Sequence, residues 1–146
     1  MKISNEILNE IAENLEMGFS CFLNKETAQL ITIPKEIDFL DNEFDHEFGD
    51  EFKEWQDDIE IVKNSPDNFF HIESMDSGES FRIMKDFIET VADKELKERL
   101  LLAIHVRKPF AHFKSEIDNS GSERERWFEF KKQRFFDWVK HQLEVT

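Results

Sequence analysis

Residues 19–33 read Phe19-Ser20-Cys21-Phe22-Leu23-Asn24-Lys25-Glu26-Thr27-Ala28-Gln29-Leu30-Ile31-Thr32-Ile33. Two short runs of aromatic and β-branched residues, Phe19–Leu23 and Ala28–Ile33, flank the polar Asn24-Lys25-Glu26-Thr27. That is the pattern of a β-hairpin, and Pro34, which lacks a backbone donor, ends the second run. The stretch decides the fold class, because most of its surroundings have helical period. Upstream, Ile7, Leu8, Ile11 and Leu15 fall on one face of a helix over 4–16, with Ser4 as its N-cap and Gly18 suited to the left-handed position past its end. Downstream, Ser65-Pro66-Asp67-Asn68 breaks the chain, and Phe69–Ser74 then alternates. Phe70 and Ile72 go to one side and His71 and Glu73 to the other, which predicts a third strand of a small antiparallel sheet.

Between hairpin and third strand lies an acidic segment. Residues 36–60 hold 12 carboxylates and one cation, Lys53, a local charge of −11. Phe44, Phe48, Phe52, Trp55 and Ile59 step by four, four, three and four, one stripe of a helix expected over 41–62. Gly49 and the like-charge neighbours weaken it, so docking of the stripe must hold it.

From Ser77 onward the periodicity is helical throughout. Phe81, Met84, Phe87, Ile88 and Val91 make one stripe, and Leu96, Leu100, Leu101 and Ile104 a second. Pro109 suits the first position of a further helix that carries Phe110, Phe113 and Ile117 inward. After the loop Asn119-Ser120-Gly121-Ser122, Ser122 and Glu125 have capping-box spacing. The last helix, roughly 123–143, carries Trp127, Phe128, Phe130, Phe135, Phe136, Trp138, Val139 and Leu143. At 100° per residue these cover about 240° of its circumference, wider than one core needs. Either two layers sandwich it, or one flank meets a partner. The expectation is an α+β fold: N-terminal helix, about three strands, acidic helix and a helical C-terminal half. It forms a single domain over 1–146, with 1–76 and 77–146 as the natural subdivision.

Composition bounds the function classes. The chain has 146 residues with a net charge of −14, which argues against a phosphate-backbone binder acting through bulk charge. No apolar run approaches the roughly 20 residues of a membrane span, and the start lacks the apolar core of a signal peptide. A single cysteine, Cys21, allows no internal disulfide and fits a reducing cytoplasm. With 16 Phe, 3 Trp and no Tyr, the aromatics are core material almost without hydroxyls. Charge is asymmetric: residues 1–100 carry a net −16 and residues 101–146 a net +2, so the halves attract within a chain or between chains.

Three segments in order, Arg82-x-Met84-x-x-Phe87, Phe110-x-x-Phe113-Lys114 and Trp127-Phe128-x-Phe130, resemble the signature of a widespread bacterial family of uncharacterised proteins. The resemblance covers about 80–143, with a looser match at the third strand. Members tend to carry Gly-basic-Gly-Ala-Phe where this chain has Arg107-Lys108-Pro109-Phe110, and Trp-Tyr where it has Trp127-Phe128. The resemblance implies no activity.

No motif assembles a catalytic or metal centre. Glu43-x-x-His46 has the spacing of a di-iron helix but lacks a second copy. Asp41-x-Glu43-x-Asp45 opens like a calcium loop, yet His46 stands where the turn needs Gly. Cys21 sits in an apolar alternation and reads as a small core hydrophobe. His105 and His112 read as surface residues. Arg107, Lys108, Lys114, Arg124, Arg126, Lys131, Lys132 and Arg134 interleave with Phe and Trp, a pattern able to hold single-stranded nucleic acid, although the aromatics follow core periodicity. The expected function is therefore a non-enzymatic protein–protein interaction or regulatory role, with a protein partner or a second copy, and with no cofactor, metal, nucleic acid or membrane. The alternative is an enzyme or nucleic-acid-binding module built around Arg82, Lys108, Lys114 and Arg124. Phe136 is the candidate residue for a homodimer interface.

Overall fold

The computed structural model describes residues 3–35 and 53–144. Among them the fold is α+β, with six α-helices and one three-stranded antiparallel sheet. The chain divides into two compact units: residues up to Ser74 together with those from Phe135 onward, and Met75–Arg134.

The first unit is built on the hairpin. Helix α1 (Asn5–Glu16) starts where the Ser4 hydroxyl accepts the Ile7 N–H at 3.3 Å, and Gly18 beyond its end takes φ +92°. Strand β1 (Phe19–Asn24) lies between β2 (Leu30–Pro34) and β3 (Phe69–Ile72). The turn after β1 is organised by Asn24, whose Oδ1 accepts from the N–H groups of Glu26 (2.8 Å) and Thr27 (3.0 Å). Pro34 closes β2, an edge strand, where a missing donor costs no ladder bond.

Register assigns the two faces. Phe22 stands opposite both Ile31 and His71, and Cys21 opposite Thr32 and Ile72. Helix α2 (Lys53–Asn64) covers the Phe22 face: Ile59 and Val62 are buried with Phe22, Ile31, Ile33 and Phe69, and Trp55 packs on the margin. On the opposite face the Cys21 thiol reaches the Ile11 carbonyl of α1 at 3.8 Å. The alternation expected for the third strand holds, with Phe70 and Ile72 on the Cys21 face and His71 on the Phe22 face, but both faces are covered. Phe69 and Ile72 point to opposite faces and are both buried, because a helix lies on each. The strand ends at Ile72 rather than Ser74. Its next backbone group, Glu73, is held by side chains of helix α6 (Ser122–Glu144): its carbonyl accepts from Trp138 Nε1 (2.8 Å) and Gln142 Nε2 (2.9 Å), and its N–H donates to Gln142 Oε1 (3.1 Å).

The expected acidic helix over 41–62 is represented, among the described residues, by α2 over Lys53–Asn64. Its stripe is seen at Trp55 and Ile59 and continues to Val62; Phe44, Phe48 and Phe52, like Asp41, Glu43, Asp45 and His46, lie outside the described residues.

The second unit is helical. Asp76 caps α3 (Ser77–Glu89) by accepting the Glu79 N–H at 2.8 Å, and Asp93 caps α4 (Lys94–Ile104) by accepting from Glu95 at 3.0 Å. Helix α5 (Pro109–Asp118) opens on its proline, as the spacing predicts. Helix α6 is itself one residue longer at its start than expected, so Ser122 is helical and Gly121 (φ +73°) makes the turn before it.

The core of this unit is aromatic. Phe87 is fully buried and meets Phe113, Trp127 and Phe130 edge-on, with centroids at 6.5, 5.2 and 5.3 Å. Part of the α6 aromatic band is taken up here. Trp127 and Phe130 serve this cluster, whereas Phe135 and Val139, both buried, belong to the first unit.

Two outcomes follow for the sheet. Replacing Phe22 by Ala should destabilise the protein by about 3–5 kcal/mol, measured by urea unfolding. His71 stacks on Phe22 with centroids 4.5 Å apart, and burial lowers its pKa from 6.5 while Glu73 pulls the other way. The folded state thus favours neutral imidazole. The stabilisation is complete above the unfolded value and is lost as pH falls through about 6.5 toward the folded pKa. An NMR titration should find His71 below 6.5, and Phe22→Leu should move it back up.

Candidate functional site

The corner between α4 and α5 brings together exposed apolar and basic side chains. It exists because Pro109 cannot continue a helix and Lys108 turns the chain at φ +57°. Leu102, Val106 and Phe110 are 68%, 49% and 44% exposed, three of the six exposed large apolar residues among those described. Leu102, Ala103 and Val106 form one side of a groove of about 340 Å³. His112 and Ser115 from α5 line it too, and the Arg99–Glu116 ion pair, 3.2 Å long, is part of its wall. That volume is at the lower end of small-ligand pockets, about 300–1,000 Å³.

Charge is concentrated at the same corner. Residues 99–114 contain Arg99, Arg107, Lys108 and Lys114, His105 and His112, and no carboxylate, in a chain of net charge −14. Arg99 is committed to Glu116 and Lys114 to Asp118 (3.1 Å). Arg107 and Lys108 are exposed, with no carboxylate among the described residues within ion-pair distance.

The residues singled out from the sequence are only partly gathered. Lys114 and Arg124 meet at Asp118, 3.1 and 3.2 Å away, and these two donors, Lys114 first, hold the Asp118 carboxyl below its ordinary range. Lys108 precedes the same helix. Arg82 pairs with Glu79 on its own helix at 3.6 Å. Phe136 is half-buried and falls in the other unit. Leu102 and Val106 were missed, and Phe110, expected to point inward with Phe113 and Ile117, is exposed instead. Leu102 fits a helical stripe as readily as its neighbour Leu101, and only the packing of α4 against α5 shows which is left outside.

The basic-aromatic segment of α6 is largely committed to itself. Arg126 bonds Glu123 at 2.8 Å and lies over Phe87, and Arg134 bonds Asp86 at 2.9 Å. Trp127 is buried, and Arg124 and Lys131 flank the exposed ring of Phe128. Cations lying on rings leave little open face for a base to stack upon. Cys21 is fully buried, and burial followed by the Glu10 charge pushes its thiol up to about 12, so it stays protonated. Among the described residues no group of three or more His, Cys, Asp or Glu is placed to hold a metal ion. No described helix is long and apolar enough to cross a membrane.

A sequence profile of an uncharacterised protein family, UPF0158, matches residues 7–146. The chain belongs to that family. The UPF0158 protein PA5073 of Pseudomonas aeruginosa is 25% identical over 84 residues, which are 58% of this chain and 55% of that protein. The chain thus aligns with little more than half the length of that relative. No solved structure matches it.

The backbone at Lys108 gives a direct check on the corner. A side chain at positive φ is strained by roughly 1–2 kcal/mol, part of which glycine gives back as unfolded-chain entropy. Lys108→Gly should therefore raise stability by about 0.5–1 kcal/mol in urea unfolding, whereas Lys108→Ala should not.

Proposed function

We propose that the chain is a non-enzymatic protein-interaction module, and that the α4–α5 corner is its docking surface. The observation that carries this reading is the exposure of Leu102, Val106 and Phe110 within nine residues, beside a groove. Soluble proteins seldom leave such clusters uncovered without a use.

The partner is another protein or a second copy of the chain, and in the second case the half-buried Phe136 is the residue of α6 to examine for a homodimer. The test is affinity purification from native lysate with the wild type and with Leu102→Glu/Val106→Glu, after circular dichroism has shown both folded. A protein retained by the wild type and lost from the variant is the expected result. Equal retention by both would remove the corner as the docking surface.

A further inference from the structure

Resting on that reading of the corner, we infer that its occupant is an acidic, amphipathic segment of a partner protein, which sets an apolar anchor in the α4–α5 groove and carboxylates against Arg107 and Lys108. Shape, apolarity and charge each contribute. The groove is too small for a folded surface to enter, yet its roughly 340 Å³ admits one large side chain or two small ones. Its walls at Leu102, Ala103 and Val106 are apolar, which suits a leucyl or aromatic anchor. Leu102 in the last turn of α4 and Val106, two residues past its end, both line the groove, so they can flank an anchor from a partner segment.

Charge then selects among apolar segments. The chain is strongly acidic as a whole, and its general field repels an acidic partner. Only where carboxylates are missing can such a partner approach, and residues 99–114 are a stretch of sixteen without one. Glu116, the acid named in the groove wall, is paired with Arg99 at 3.2 Å, and Glu98 is exposed one turn before Leu102. Arg107 and Lys108 remain exposed at the turn between the helices. The left-handed backbone at Lys108 turns the chain into α5, so these cations sit at the corner between the two helices. An acidic segment is therefore steered to this place and repelled elsewhere, giving orientation as well as attraction. A basic segment would find its electrostatic attraction on the rest of the chain instead.

The experiment uses the full chain and two fluorescein-labelled helical peptides of 14 residues. Both carry Leu at positions 4, 8 and 11 and Phe at position 7; one has Glu, the other Lys, at its remaining charged positions. Fluorescence anisotropy should show the Glu peptide binding at least about ten-fold more tightly than the Lys peptide. Arg107→Glu/Lys108→Glu should weaken the Glu peptide about ten-fold or more, and 0.5 M salt should weaken it several-fold. Leu102→Glu/Val106→Glu should abolish it. Equal or tighter binding of the Lys peptide, still lost on Leu102→Glu/Val106→Glu, would overturn the acidic partner while leaving the docking surface standing. Failure of both peptides to bind would overturn the docking surface too. Binding only to vesicles of anionic phospholipid or to a single-stranded oligonucleotide would overturn the protein partner. Sedimentation equilibrium showing a dimer that Arg107→Glu/Lys108→Glu dissociates would give the site to a second copy instead.

Discussion

The edge-on packing of Phe87 is the interaction on which the helical unit depends. One ring of α3 meets Phe113 of α5 and both Trp127 and Phe130 of α6, while the Arg126 guanidinium lies 4.6 Å from its centre and bonds the Thr90 carbonyl at 3.2 Å. Three helices are thereby fixed through one fully buried side chain that carries no polar atom. Phenylalanine suits the place because a hydroxyl there would need a partner that the cluster cannot supply. Arg126 shows how a cation adjoins such a core without being buried: its charge is met by Glu123, a carbonyl and a ring face. With α5 held from beneath by Phe113, its opposite side, with α4, is free to form the groove.

The sheet unit meets a different constraint. Three short strands present two faces, and each must be covered where it is apolar. The central strand therefore carries Phe22 toward α2 and Cys21 toward α1, both buried. Beyond the end of β3, Trp138 and Gln142 saturate the Glu73 backbone that no further strand pairs. The indole N–H thus has a structural duty, and Trp138 is not surplus apolar surface.

Much of this was legible in the residues themselves. Caps and breakers are local chemistry, so Ser4, Gly18, Pro34 and Pro109 announce the ends that the structure shows. The α+β class followed from a switch of period between 19–33 and its surroundings. Two-sided burial of β3 was not legible, because Phe69-Phe70-His71-Ile72 is apolar at three of four positions and fits either pattern. Nor was the division of labour in α6, where a broad apolar band is the same in sequence whether it faces a partner or serves successive cores. The candidate site was half legible: the basic residues at 107 and 108 stand out, while the exposure of Leu102 depends on how two helices pack.

Phe87 anchors α5 and hence the corner, and hydrogen exchange on Phe87→Leu tests that most directly. The substitution keeps an aliphatic side chain but removes the ring that Phe113, Trp127 and Phe130 pack against. Protection should fall most in residues 109–118 and 122–134, and much less in β1 and β2. Undiminished protection of 109–118 in a variant confirmed by mass would contradict the claim that this ring holds the helix in place.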